Sequence, residues 1–446
     1  MKYHSTRHAH RVNFKRTLFN GIAENGGLYI PETIPEFDLS ELFKKSIFCF
    51  GKKLVFNDIA FKVCRKFIDP EEIPDQDLKQ IIKKSFKTFR IKSIAPLVKL
   101  NPNLFVLELF HGPTYAFKDI ALQFLANVLQ YFNKSKINII CATSGDTGAA
   151  AIYAVRYKSD IRCFVLHPKD SISSIQRAQM TSVLEPNIFN YEIEGSFDDC
   201  QKIVKILNAS LPNTTTFNSI NWCRIMVQIT YYFYAYAQMV KQNHETKVSF
   251  SVPTGNFGDI LAGFYAHKMG LPINKLIIAT NENRTLFNFM KTGRLNCSQV
   301  VQTFSPAMDI SMPSNIERLL YYFDYNYQTE SISPDQLVEL RKLFECESIS
   351  NDMIIKTIRD VFDKYSYVID PHTAVGIAAS HRSLSVLEPV ICLATAHPGK
   401  FPETMNLALN HHFIPNDLGK LLSKPQRYVT LHKSDALYKI KNDICQ

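Results

Sequence analysis

Lys118 stands in "ELFHGPTYAFKDIALQFLANVL" (108–129), between a short apolar run and a long amphipathic one. The run 104–110 has the length and apolar density of a buried strand, and His111-Gly112-Pro113-Thr114 supplies the turn that ends it. Beyond it Ile120, Phe124, Leu125, Val128, Leu129 and Phe132 recur at three and four residues, the spacing of a helix whose first turn carries Asp119. Lys118 therefore falls at a helix N-terminus, where the positive end of the dipole disfavours the ammonium form. Attack on a carbonyl needs a neutral amine of this kind, whereas the bland alternative is a surface lysine at a helix start.

Three polar loops follow other apolar runs. Ser144-Gly145-Asp146-Thr147-Gly148 follows "INIICAT" (137–143), and Thr254-Gly255-Asn256-Phe257-Gly258-Asp259 follows "KVSFSVP" (247–253). The third, Thr395-Ala396-His397-Pro398-Gly399-Lys400, ends "PVICLAT" (389–395). Glycines let a loop bring amides close to an anion, and the helix that follows adds its dipole. No GxGxxG occurs and no GK[ST] closes either Gly-rich loop, which disfavours dinucleotides and Walker-type triphosphates. A lysine for a Schiff base, an amide cradle for a phosphate and a group facing a ring nitrogen together suit an aldehyde cofactor that carries a phosphate. Pyridoxal phosphate is that cofactor. Asp259, an anion beside the proposed cradle, reads either as a ligand-positioning residue or as a helix cap pointing away. Neither GxSxG nor HExxH occurs, and His111, His372 and His397 read as acid–base groups or as hydrogen-bonded structural histidines.

Loops of this kind must be held by strands. The runs 137–143, 161–166, 247–253, 275–280 and 389–395 alternate with helical stretches, the pattern of parallel βαβ units and an α/β class with helices on both faces of the sheet. Residues 1–92 read instead as a mixed N-terminal unit of helices with Pro-rich joints, "YIPETIPEF" and "DPEEIPDQD". We place a large cofactor-binding α/β unit at 93–136 and 222–446 and a smaller α/β unit at 137–221. The 446 residues, 46% of them hydrophobic, allow cores of this size. The net charge of +10 is spread along the chain and fits anionic small molecules rather than nucleic acid. Ten scattered cysteines without a CxxC argue against disulfides and a structural metal, and a His4, His8, His10 tract is a weak metal signal. With no apolar run of membrane-spanning length and no apolar leader, a cytoplasmic protein is expected.

The chain resembles threonine synthase among the fold-type-II pyridoxal phosphate enzymes, most closely the longer bacterial and fungal form. The resemblance rests on "NGGLYIPETIPEF" (25–37), "FHGPTYAFKD" (110–119), "ATSGDTGAAA" (142–151), "FNSINWCR" (217–224), "SVPTGNFGDILAG" (251–263), "DPHTAVG" (370–376) and "TAHPGKF" (395–401). It implies that Lys118 is the Schiff-base lysine, that Gly255, Asn256, Phe257, Gly258 and Asp259 form the cofactor-phosphate loop, and that the Thr395 hydroxyl faces the pyridine nitrogen. Ser144, Asp146 and Thr147 match the loop that receives the substrate carboxylate and flanks the ring oxygen. Many relatives have asparagine at Asp146, so the role of that side chain stays open. Asn218, Ser219 and Arg224 match a substrate-phosphate site, and a guanidinium fork binds phosphate bidentately. The reaction implied is O-phospho-L-homoserine and water to L-threonine and phosphate, the last step of threonine biosynthesis, by a monomer or homodimer. The rivals are a phospho-lyase releasing a 2-oxo acid, ammonia and phosphate, and a catalytically silent scaffold.

Overall fold

Apolar runs long enough to bury both faces become the strands of two parallel sheets. The computed structural model describes residues 1–42, 54–133, 135–169, 172–239, 247–383, 388–411 and 413–446. The larger sheet has six strands in the order Phe344–Ser348, Ile273–Thr280, Val248–Pro253, Val390–Ala394, Leu104–Glu108 and Leu97–Lys99. All its pairings are parallel except the last, where Leu97–Lys99 closes the edge antiparallel to Leu104–Glu108. The smaller sheet runs Val429–His432, Ile188–Glu194, Ile161–Pro168, Ile137–Ala142 and Thr214–Thr215, with every pairing parallel. Helices cover both faces, as parallel sheets require.

The first residues depart from the helical expectation. Tyr3–Ser5 pairs antiparallel with both His8–Val12 and Tyr29–Pro31 to make a third, three-stranded sheet. These strands are too short for periodicity to reveal, and His8–Val12 is mostly exposed. The helices Phe56–Phe67 and Asp75–Phe86 complete that unit and bury one stripe each against the main core.

One boundary read from the sequence also needs correction. Residues 222–446 do not belong wholly to the large unit: Val429–His432 extends the smaller sheet along Ile188–Glu194. The helix Lys433–Cys445 then packs Ala436, Ile440 and Ile444 into the same core as Ile140, Phe164 and Leu207. An unpaired edge and an uncovered face on the smaller sheet attract this segment back across the chain.

The helix Trp222–Met239 is buried from Trp222 to Ala237. Its apolar faces meet several elements at once, so Arg224 sits 3% exposed inside the protein rather than on a surface. Six cysteines are buried among apolar neighbours, Cys297 and Cys445 are exposed, and Cys49 lies outside the described residues. Among the described residues no helix is long and apolar enough to cross a membrane.

Candidate active site

A cavity of about 80 Å3 lies at the carboxyl ends of Ile137–Ala142, Val248–Pro253 and Val390–Ala394, between the two parallel sheets. Lys118, Ser144, Thr147, Asn218, Ser219, Arg224, the loop from Gly255 to Asp259 and Thr395 all line it, so residues from five separate stretches meet at one place.

Lys118 is the first residue of the helix Lys118–Phe132. The segment before it is clipped to the third loop, with Phe117 N donating to Thr395 O at 2.8 Å and His397 N donating to Tyr115 O at 3.1 Å. That fixes the direction in which the lysine enters the cavity. Burial pulls its amine below the usual lysine range; Asp146 opposes that shift, and Arg224 and Lys400 reinforce it.

The loop 254–259 turns sharply because Phe257 adopts a left-handed conformation, φ 62°, before the helix Gly258–Lys268 begins. First-turn amides have no helical carbonyl to bond, and this geometry presents them to the cavity end of the helix. A Cβ at Gly255 would lie 2.8 Å from Ala307 O and 3.2 Å from Met308 Cα, so only glycine lets the loop sit under that backbone. At Gly258 the nearest atoms to such a Cβ are at 3.4 and 3.5 Å, an ordinary contact. Asp259 fits neither sequence reading in full, since its side chain makes no cap bond and is held by Tyr231 Oη at 2.5 Å and Tyr232 Oη at 3.0 Å. Burial pushes its carboxyl up to about 7 despite those two donors.

The run 217–224 contributes unequally. Arg224 donates from Nη1 to Phe217 O at 3.0 Å, while its Nε is buried without a partner among the described residues. Ser219 Oγ lies 2.9 Å from Ser314 Oγ, which donates to Asn256 Oδ1 at 3.0 Å. A hydroxyl chain thus links this run directly to the Gly255 loop. Asn218 is engaged with the strand end, donating from Nδ2 to Ala142 O at 2.8 Å and accepting from Ala142 N at 3.3 Å.

Asp146, which the resemblance assigns to the site, does not line the cavity. It begins the helix Asp146–Val155, 3% exposed, with Oδ2 at 3.4 Å from Lys118 Nζ. Its Oδ1 accepts from Lys400 Nζ at 2.7 Å and Gln176 Nε2 at 2.9 Å. Burial works against ionisation, but Lys400 and then Lys118 hold the carboxyl well below the usual range.

Sequence reasoning missed the part that three residues play. Lys400, Ser314 and Asn315 become visible only once the chain is folded, and Asn315 supports the Gly255 loop by donating from Nδ2 to Asn256 O at 3.1 Å. Of the three histidines the sequence left as acid–base or structural groups, His372 lines the cavity. Its Nδ1 bonds Asp370 Oδ2 at 2.6 Å and its Nε2 accepts from Ala307 N at 3.2 Å, which holds the backbone roofing Gly255.

Three family matches divide the chain: "Threonine synthase N terminus" over residues 2–86, "Pyridoxal-phosphate dependent enzyme" over 88–395, and "Threonine synthase, C-terminal" over 373–442. A threonine synthase of Saccharomyces cerevisiae is 41% identical over 97% of this chain and 95% of its own length. That of Pseudomonas aeruginosa is 42% identical over 92% of this chain and 90% of its own. The chain belongs to the threonine synthase family. A solved structure of threonine synthase from Brucella melitensis with pyridoxal phosphate bound superposes with a TM-score of 0.90 at 38% identity, covering 99% of both chains. Pyridoxal phosphate is the cofactor of this threonine synthase family member. The cavity suits it on the structure's own terms: a buried amine of lowered basicity and, ahead of a helix N-terminus, a loop whose Gly255 has no room for a Cβ.

Proposed function

We propose that the chain converts O-phospho-L-homoserine and water into L-threonine and phosphate. The observation carrying this reading is the meeting of Lys118, the Gly255 loop, Thr395 and Arg224 around one cavity. When bound, pyridoxal phosphate supplies an electron sink for charge that develops on the substrate carbons. Around it, the amides of 255–259 would hold the cofactor phosphate and Thr395 would face the ring nitrogen with a hydroxyl. Ser144 and Thr147, at a loop whose Thr143 Oγ1 accepts from Gly145 N at 2.9 Å and Gly148 N at 2.8 Å, would receive the substrate carboxylate. Arg224 and Ser219 would bind the substrate phosphate, with Asn218 keeping their loop against the strand end. Lys118, as a neutral amine, takes and returns protons at Cα, Cβ and Cγ of the substrate. Burial of these groups excludes bulk water from the proton transfers and strengthens each charged contact.

We further place the enzyme in the cytoplasm, as a monomer or homodimer, with this small molecule as its partner. Product identity tests the reading: O-phospho-L-homoserine supplied with pyridoxal phosphate should yield threonine and phosphate in equal amounts. A 2-oxo acid and ammonia in place of threonine would overturn it in favour of a phospho-lyase.

A further inference from the structure

Two lysines compete for one buried carboxylate, and the shorter contact goes to the lysine outside the cavity. Lys400 ends the turn Pro398–Lys400, on the large-sheet side, and is fully buried. Its Nζ lies 2.7 Å from Asp146 Oδ1 and donates to Thr114 O at 2.9 Å, while Lys118 Nζ is 3.4 Å from Asp146 Oδ2. We propose that Lys400 is a positioning residue that neutralises Asp146, so that this carboxylate can stand beside Lys118 without holding it as an ammonium ion.

The argument is one of net buried charge. Lys118 and Asp146 alone would form a buried ion pair, and a carboxylate within about 4–6 Å typically favours the charged lysine by 1–3 pH units. Lys400 changes the count. With Lys400 and Asp146 paired, protonating Lys118 leaves a net positive charge in a desolvated site, and losing that proton leaves a neutral cluster. Other groups facing the cluster act consistently. Arg224, on the helix Trp222–Met239, adds a second positive charge that disfavours protonated Lys118. Asp119, on the same helix as Lys118, is held by Thr114 N and Thr114 Oγ1 at 2.8 Å each, with its carboxyl pushed by burial up to about 6. It anchors the threonine whose carbonyl receives Lys400. Gln176 Nε2, on the helix Ser174–Thr181, is the neutral third donor to Asp146. The geometry also explains why aspartate stands at position 146: an asparagine there would leave the Lys400 ammonium buried without a counter-charge.

The inference rests on Lys118 being the cofactor-bearing amine, and that premise is tested separately by borohydride reduction of the holoenzyme, which should attach the cofactor to Lys118. The inference itself is read on the full chain stripped of cofactor, by competitive acetylation with acetic anhydride across the alkaline range and mass spectrometry of the peptide containing Lys118. Lys400→Met should raise the apparent pKa of Lys118 by about 1–3 units. Lys400→Arg should keep the wild-type value, and Asp146→Asn with Lys400→Met should return it towards wild type, because both charges leave together. If Lys400→Met does not fold, Lys400→Gln keeps a donor for Asp146 and should show the same upward shift. An unchanged Lys118 titration in the folded Met or Gln variant would overturn the inference. Cofactor trapped on another lysine would instead overturn its premise.

Discussion

Arg224 carries a permanent charge into a desolvated place, and among the described residues one carbonyl, Phe217 O, is seen to receive it. Burial is the main pull lowering its guanidinium to about 10, still far above neutrality. A charged donor with a spare buried Nε suits the role proposed for it, binding the substrate's anion. Arg224→Ala should leave spectroscopic pyridoxal phosphate affinity unchanged. Loss of a charge-assisted bond of roughly 1.5–3 kcal/mol should lower kcat/KM for phosphohomoserine by about one to two orders of magnitude. Arg224→Lys should recover part of that, because the ammonium keeps charge without the fork. Lost cofactor with unchanged kinetics per bound cofactor would move Arg224 to the other phosphate. Asp259 invites a pH prediction. Its folded-state carboxyl titrates at about 7, so between about pH 4 and that value the folded chain keeps a proton the unfolded chain has lost. Stability from this group is thus highest at acid pH and declines as pH rises through that window. Asp259→Asn keeps an acceptor for both tyrosines and removes the titration. Its thermal midpoint should match wild type at the acid end of the window and exceed it at the alkaline end, by a stabilisation on the order of 1–4 kcal/mol. An equal difference at both ends would show that Asp259 is not the titrating group.

At the scale of elements, the loop 254–259 depends on its two glycines differently. Gly255→Ala would drive a methyl against Ala307 O, whose segment is pinned by His372, so the loop or its roof must move. Cofactor affinity, followed by fluorescence or absorbance titration, should fall at least about tenfold, roughly 1.4 kcal/mol, with the fold intact by circular dichroism. Gly258→Ala places its methyl at ordinary contact distance and should cost little. Equal losses in both variants would remove the roof from the explanation. Both glycines were legible in the sequence as loop formers, but which one lies under another backbone was not. The same division holds for the whole site. Long strands with both faces buried, such as Ile137–Ala142 and Val248–Pro253, announce themselves as unbroken apolar runs, and their polar ends mark the cavity. Phe344–Ser348, reading "FECES", joins the sheet edge through backbone pairing with Ile273–Thr280, which leaves little hydrophobic pattern to read. Lys400 and Asp146 follow strands of different sheets, so their pairing follows from topology and from no local spacing.

Across the whole molecule, one buried arginine bridges the N-terminal sheet to two segments beside the site. Arg318 donates from Nε to Tyr29 O at 2.9 Å and from Nη2 to Ile220 O at 2.6 Å, and its Nη1 bonds Asn315 Oδ1. These acceptors belong to three places: a strand of the N-terminal sheet, the loop before Arg224, and the side chain that supports Asn256. The guanidinium fork can span them because its five donors point outward in one plane. Arg318→Met keeps most of the apolar stem and removes all the donors, leaving buried acceptors that cost about 1–3 kcal/mol where unsatisfied. A contact that served only the N-terminal unit would loosen residues near 29. A contact that couples the three should raise hydrogen exchange together at 27–31, 217–221 and 313–316, and should weaken cofactor and substrate binding in the same variant, although Arg318 does not line the cavity. Hydrogen exchange read by mass spectrometry on the holoenzyme separates the two outcomes. Protection lost at 313–316 alone, with the other two segments unchanged, would reduce Arg318 to a local support for Asn315 and overturn its role as a bridge from the N-terminal sheet.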